Sequence, residues 1–413
     1  MTAGSGTGNR RNATTAASLR GVTSHHDTDS TADYDIVVFG ATGYTGALTA
    51  RYLAEHAPTG TRWALAGRSR TKLESVRDRL GIDVPLVEAD SGDPASLRRL
   101  AESTRVVATT VGPYVRYGEP LVAACAAAGT DYVDLTGEPE FVDLMYVRHH
   151  AAAERTGARL VHACGFDSVP HDLGAYFTVQ QLPADQPIRL RGYVRVSGVP
   201  SGGTFDSAVT AMSRFRQASA AHGERRRAEP RGEARKVRAV AGRPGYDRAV
   251  HAWVLPLPTI DPQIVIRSAQ ALDRYGPDFS YSHFAALRNP MYAAGISAGL
   301  AGAFALAQLP PTRTLLRKLR PAGSGPSPEQ REQGWFKVRF VGESAGARVV
   351  TEVAGGDPGY GETSKMLAES ALCLANDALP PTAGQVTTAV AMGDLLRARL
   401  EKAGITFRVL EPT

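Results

Sequence analysis

YDIVVFGATGYTGALTARYL, residues 34–53, decides the fold of this chain. The apolar run Ile36, Val37, Val38, Phe39 leads into Gly40, Ala41, Thr42, Gly43, Tyr44, Thr45, Gly46, and Ala47, Leu48, Tyr52 and Leu53 follow. This reads as strand, tight glycine turn, helix. Glycines three residues apart let the backbone turn without a Cβ, approach a pyrophosphate closely and seat the new helix against the strand. The helix N-terminus then turns its free N–H groups toward the phosphates, which makes the element a candidate dinucleotide cradle. A second strand about 20 residues on supplies the context that this fingerprint requires.

That second strand, Trp63 to Ala66, runs into Gly67, Arg68, Ser69, Arg70, Thr71 and Lys72. A fold selective for NAD usually places a carboxylate here to hold the adenosine ribose hydroxyls. This chain places three cations there and no acid. Arg68 and Lys72, with Arg70 and the Ser69 hydroxyl, suit a 2′-phosphate through charge-assisted hydrogen bonds. NADP(H) is therefore the expected cofactor. Arg70 and Lys72 also fit the solvated first turn of a helix, so Arg68 carries the reading.

At 413 residues the chain exceeds one compact core, and two domains are expected. Cys125, Cys164 and Cys373 lie far apart with no CxxC pair, so the spacing indicates neither a disulfide framework nor a metal site, and a reducing compartment fits. Residues 1–33 are rich in Gly, Ser, Thr, Asn and Ala with no apolar core, which predicts a disordered tail and neither a signal peptide nor an anchor. Charge is concentrated: between Ala221 and Val250, nine basic residues face four acidic ones, giving +5 of the net +6. With Tyr246 as the one interleaved aromatic, nucleic acid is not the expected partner. An exposed docking surface for an anionic carrier protein, cofactor arm or lipid headgroup fits, and so does a merely solvated loop.

From Tyr34 onward, strands and helices alternate as a parallel sheet requires. A helix over Thr71–Leu80 precedes a third strand, Val84–Ala89, closed by Asp90, which joins the cofactor set. A helix over Pro94–Glu102 leads to the strand Arg105–Val111, whose exit through Val111, Gly112 and Pro113 should lie near the nicotinamide. Leu121–Ala128 makes another helix, and Thr130–Glu138 a strand with a carboxylate-bearing exit. Arg159–Ala163 is the sixth strand, running into Cys164–Gly174, where a helix starts. The expected fold class is α/β, a Rossmann-type doubly wound parallel sheet with an inserted α+β domain on a mixed or antiparallel sheet. The nucleotide domain is placed at 34–180, the substrate domain at 181–355, and C-terminal helices returning to the nucleotide domain at 356–413.

In the second domain, Ile188–Ser197 alternates, and a helix from about Phe205 to Ala220 follows Ser201–Thr204. Strand-like runs recur at Ala249–Leu255, Ile264–Ala269, Trp335–Val341 and Ala347–Val353. Thr363–Leu374 and Ala389–Leu400 read as helices. Met291–Leu309 holds no charge and is followed by Arg313, Arg317, Lys318 and Arg320. Its seven Ala and three Gly supply little transfer energy, so a helix lining an acyl pocket or resting on a membrane surface is favoured over a crossing.

The glycine loop, AGRSRTKL at Ala66–Leu73, VGPYVRYGEPLVAAC at Val111–Cys125, GTDYVDLTGE at Gly129–Glu138 and CGFDSVPHDLG at Cys164–Gly174 together resemble the saccharopine dehydrogenase-like oxidoreductases. SGGT at Ser201–Thr204, GDPGY at Gly356–Tyr360 and the AMG…AGITF ending extend the likeness to the actinobacterial trans-acting enoyl reductases. His171 stands where that branch is expected to carry a serine. The resemblance implies NADPH-dependent reduction of the enoyl double bond of a carrier-bound acyl or polyketide thioester in lipid or glycolipid assembly. It also implies a carrier protein or polyketide synthase as partner, in a cytoplasmic protein that can touch the plasma membrane peripherally. A homodimer is allowed.

Such a reduction needs a hydrogen-bond donor at the enolate oxygen and a proton for the α-carbon, both beyond the strand ends. Tyr114 and Tyr117 are candidate acids, and Asp167, Ser168 and His171 are candidates for orienting substrate or relaying protons. Packing by the tyrosines and helix capping by Asp167 and Ser168 would explain the same residues. Saccharopine-type imine chemistry is a second reading, with Arg116, Arg191 and Arg195 available to hold carboxylates. A third is a non-catalytic NADPH sensor or scaffold.

Overall fold

The computed structural model describes residues 1–2, 32–197, 209–210, 212–229, 235–308, 312 and 327–410. Most of the expected tail, the Ser201–Thr204 stretch and the cations Arg313, Arg317, Lys318 and Arg320 lie outside the described residues.

The nucleotide-binding half is a seven-stranded sheet. Its strands are β1 (Tyr34–Phe39), β2 (Trp63–Gly67), β3 (Leu86–Glu88), β4 (Thr104–Thr109), β5 (Asp131–Asp134), β6 (Arg159–Val161) and β14 (Gly384–Val386), in the order β14-β6-β5-β4-β1-β2-β3. Every pairing is parallel. A parallel sheet is covered on both faces, which is why its strands are continuous apolar runs. Ile36 and Val38 pack with Leu53 and Leu367 on one face, while Val37 and Phe39 pack with Leu100 and Leu121 on the other. Helix α1 (Tyr44–His56) follows β1, and α2 (Arg70–Leu80) follows β2. The order reverses between β1 and β4, and ligands bind at such a switch point outside the strand ends.

A second sheet of eight strands is mixed. It comprises β7 (Ile188–Ser197), β8 (Lys236–Ala239), β9 (Gly245–Asp247), β10 (Ala252–Pro256), β11 (Asp278–Leu287), β12 (Trp335–Ser344), β13 (Ala347–Gly355) and β15 (Thr406–Leu410). β11 runs parallel to both β7 and β8, and the other pairings are antiparallel. Helix α7 (Val169–Val179) lies on β12 and β13. A Cβ on Gly174 would stand 2.3 Å from the Phe340 ring, so glycine is what lets this helix sit close to the sheet.

Several sequence expectations need correction. Ile264–Ala269 is part of a helix, Asp261–Ala271, with Ile264, Val265, Ser268 and Ala269 buried on one face. Its run of branched residues imitates a strand, but Pro262 in the first turn and the helical spacing of the buried face belong to a helix. β8, β9, β11, β14 and β15 were not expected at all. The C-terminal region therefore adds an edge strand to each sheet besides its helices. After β7, Val209, Thr210, Met212 and Ser213 are helical within the expected span, a helix Phe215–Ala228 follows them, and residues 205–208 lie outside the described residues; Ala389–Leu400 divides at Met392 into Thr388–Ala391 and Gly393–Lys402.

Within the basic segment Arg226, Arg227, Lys236, Arg238, Arg243 and Arg248 are exposed as expected, whereas Arg225 and Arg235 are drawn into the fold. Arg225 is 3% exposed and donates to Asp143 at 2.9 Å and to Glu229. Arg235 pairs with Asp273 and Arg238 with Asp278, so much of the local excess is neutralised within the fold. Helix Pro290–Ala307 opens with an Asn289 cap and leaves Met291, Tyr292 and Leu306 exposed. Among the described residues no helix is long and apolar enough to cross a membrane.

Candidate active site

The cradle starts at Gly40, which sits at φ +90° where a side chain is strained. A Cβ on Gly46 would stand 2.2 Å from the Gly40 carbonyl oxygen, so helix α1 can begin here only with glycine at that position. Gly43 is the N-cap and brings no side-chain cap to the first turn. Ala41 is buried, Thr42 and Gly43 are exposed, and Tyr44 and Thr45 are half-buried, so the turn reaches the surface, while the Gly40 and Ala41 N–H groups donate to the Ala66 carbonyl and that of Gly43 to the Gly40 carbonyl. Such a turn receives a pyrophosphate. The Thr110 hydroxyl donates to the Gly40 carbonyl at 3.2 Å, which draws the Val111, Gly112, Pro113 exit of β4 against the glycine turn.

At the end of β2, Arg68 is exposed and makes no ion pair with the described residues. Its neighbours are partly committed. The Ser69 hydroxyl accepts the Lys72 N–H at 3.4 Å as the cap of α2, and Arg70 lies 3.4 Å from Glu74. Lys72 keeps its ammonium exposed. Asp90 turns back on its own loop, accepting the Gly92 N–H at 2.9 Å. Arg68, with Lys72 and the outer side of Ser69 beside it, is the set that could hold a 2′-phosphate here.

The catalytic candidates separate. Tyr114 is 5% exposed; its hydroxyl donates to the Thr109 carbonyl at 3.0 Å and accepts the Leu135 N–H at 3.1 Å. Burial, reinforced by Asp134, pushes this phenol well above its ordinary range. Tyr114 is therefore a brace between the exits of β4 and β5, and the expectation of an acid there is corrected. Tyr117, three residues on, is 46% exposed. Ser168 is fully buried and donates to the Asp167 carbonyl, which takes its hydroxyl out of contention as a substrate contact. His171 points into the protein, 3.0 Å from Asp261. Asp167 remains half-buried beside Gly137, whose Cβ would stand 3.0 Å from the carboxylate. Burial, with the Asp261 charge behind it, pushes the Asp167 carboxyl up to about 6.

Residues not singled out from the sequence shape this end of the sheet. Asp134 accepts from the Tyr132 hydroxyl at 2.9 Å, from the Thr136 N–H at 3.0 Å and from the Ala163 N–H at 2.9 Å, and its Oδ2 lies 2.7 Å from His162 Nδ1. Glu138 accepts the Tyr114 and Val115 N–H groups at 3.1 and 2.8 Å. The carboxylate-bearing exit of β5 was legible, but its role as the anchor of two neighbouring loops depends on which strands lie beside it.

The sheet order, the glycine cradle and the cationic end of β2 define an NADP-binding Rossmann oxidoreductase. The saccharopine dehydrogenase NADP-binding domain profile matches residues 36–161. A trans-acting enoyl reductase of Mycobacterium tuberculosis is 38% identical over 414 residues, covering 90% of this chain and 97% of that protein. One from Mycobacterium ulcerans is 37% identical over 405 residues, with 90% and 97% covered. The chain belongs to this family, the saccharopine dehydrogenase-like trans-acting enoyl reductases. Saccharopine dehydrogenase of Saccharomyces cerevisiae shares the fold at a TM-score of 0.52 and 11% identity, over 91% of this chain and 100% of that one.

Proposed function

We propose that this protein reduces the α,β double bond of an enoyl thioester with NADPH, on an acyl or polyketide chain presented by a separate carrier. The observation that carries the reading is likeness to trans-acting enoyl reductases along nine-tenths of the chain, joined to an intact cradle with an exposed Arg68 that makes no ion pair among the described residues. When bound, NADPH supplies the hydride that reaches the β-carbon. The protein must place the thioester beyond β4, β5 and β6 and deliver a proton to the α-carbon. Asp167 is the half-buried group at that end whose carboxyl is raised toward neutrality, which suits a proton donor at physiological pH. Tyr117, exposed in the helical turn that follows β4, is the remaining candidate hydroxyl to meet the thioester oxygen. The exposed Arg226 and Arg227 support docking of an anionic carrier.

Saccharopine-type chemistry is less well supported. Arg191 is held by Asp247 at 3.0 Å and Glu343 at 2.8 Å, and Arg195 lies over the Trp335 ring, which leaves the exposed Arg116 without the second cation that a pair of carboxylates needs. The test is NADPH oxidation with a crotonyl-type thioester, in wild type and Asp167→Asn. Oxidation that requires the thioester, with kcat falling by about 100-fold or more in Asp167→Asn while NADPH affinity holds, is the expected result. NADPH binding without thioester-dependent oxidation would leave a sensor or scaffold as the better reading.

A further inference from the structure

Three buried side chains converge from three separate segments of the chain. His171 lies in the first turn of α7, Asp261 opens helix Asp261–Ala271, and His283 is in the middle of β11. They are 2%, 3% and 5% exposed. His171 Nδ1 lies 3.0 Å from Asp261 Oδ1, and His283 Nε2 lies 3.4 Å from Asp261 Oδ2. These approaches are close but not aligned as hydrogen bonds: both ring nitrogens of His171, Nε2 of His283 and Oδ1 of Asp261 have no hydrogen-bond partner among the described residues. Buried polar atoms left in this way are costly, and one ring nitrogen of each histidine and one Asp261 oxygen lie close enough to share a partner.

The spacing fits a small cation. One ligand atom from each residue lies within 4.8 Å of the other two. Tetrahedral zinc with bonds of about 2.0–2.1 Å sets its donor atoms roughly 3.3 Å apart. The outer contacts are those that orient metal ligands. The Tyr281 hydroxyl is 2.9 Å from His283 Nδ1, and the Thr259 hydroxyl donates to Asp261 Oδ2. Phe166 stands edge-on to His171 with ring centres 5.4 Å apart, giving the cluster an apolar wall.

We propose that His171, Asp261 and His283 form a binding site for a divalent cation of the zinc class. Two imidazole nitrogens and a carboxylate oxygen are borderline-soft donors that suit zinc better than calcium or magnesium. Three protein ligands leave one position of four for water. The ion ties the loop after β6 to the second sheet through β11.

Metal content of untagged protein purified without chelator, followed by cobalt titration of the stripped protein, tests this. The expected result is about one equivalent of zinc per chain and the visible d–d bands of cobalt near tetrahedral coordination. Asp261→Asn and His283→Ala should bind at least about tenfold more weakly, whereas His222→Ala, on an exposed histidine, should match wild type. NADPH binding reports whether each variant has folded, and the wild-type cobalt spectrum decides the matter if none has. Wild-type protein that takes up neither zinc nor cobalt, or folded variants that bind as well as wild type, would overturn the site.

Discussion

Arg68 shows how much one side chain can decide. It follows the buried end of β2, so its backbone is fixed while its guanidinium stays exposed without an ion-pair partner among the described residues. Arg68→Ala should therefore cost NADPH affinity with little loss of stability. A charge-assisted contact to the 2′-phosphate is worth about 1 to 3 kcal/mol, so NADPH should weaken roughly 5- to 150-fold while NADH is unchanged. Fluorescence titration with both nucleotides measures the difference, and equal losses for the two would place the phosphate elsewhere. Gly46 works by the opposite means, contributing by having no side chain at all. Both residues were legible because local geometry dictates them. Ser168 and Tyr114 were not, since only their neighbours reveal that their hydroxyls are already bonded.

Among the elements, helix Gly361–Asn376 is the one that supports the cofactor helix from behind. Within it Glu369 accepts from the Tyr52 hydroxyl of α1 at 2.7 Å and from Arg399 at 3.2 Å, and Arg399 in turn holds Asp377 at 2.6 and 2.7 Å. Burial alone would raise the Asp377 carboxyl, but the hydrogen bonds and charge of Arg399 hold it below its ordinary value. A depressed carboxyl contributes stability that is present above its unfolded pKa and is lost as pH falls through its folded one. Asp377→Asn should thus melt at a lower temperature than wild type at pH 7, and the gap should close on acidification below about pH 4. A gap that stays constant with pH would deny the ion pair its role. This helix was readable from its periodicity. Its partner in α1 was not, because nothing local in either sequence encodes a contact more than 300 residues away.

In the whole molecule, the two sheets are joined through α7 and the carboxylate of Asp172. This group is fully buried and accepts from Ser268, from the Thr388 hydroxyl at 2.7 Å and from the Ala389 N–H at 2.8 Å. It links α7 to helix Asp261–Ala271 and to the C-terminal segment that carries β14 and β15. Asp172→Ala strands three donors in the interior and should destabilise the protein by about 3 kcal/mol or more, read as a lower denaturant midpoint. Asp172→Asn should recover part of the loss, and an unchanged midpoint in the alanine variant would show that the three segments are held by apolar packing alone.

What the sequence by itself determined is the nucleotide-binding half: β1, the glycine turn, α1, the cationic end of β2 and the βα alternation through β6. These depend on short-range rules, on steric limits at glycine, helical periodicity and the double burial of parallel strands, and each is written within a few residues. Only the tertiary structure decided that Gly384–Val386 and Thr406–Leu410 complete the sheets. It also decided that Ile264–Ala269 is a helix, that Arg225 is buried, and that His171 meets Asp261 and His283 instead of facing the substrate. Those outcomes depend on which segments become neighbours after folding, and the burial and pairing free energies that select them are summed over contacts far apart in the chain.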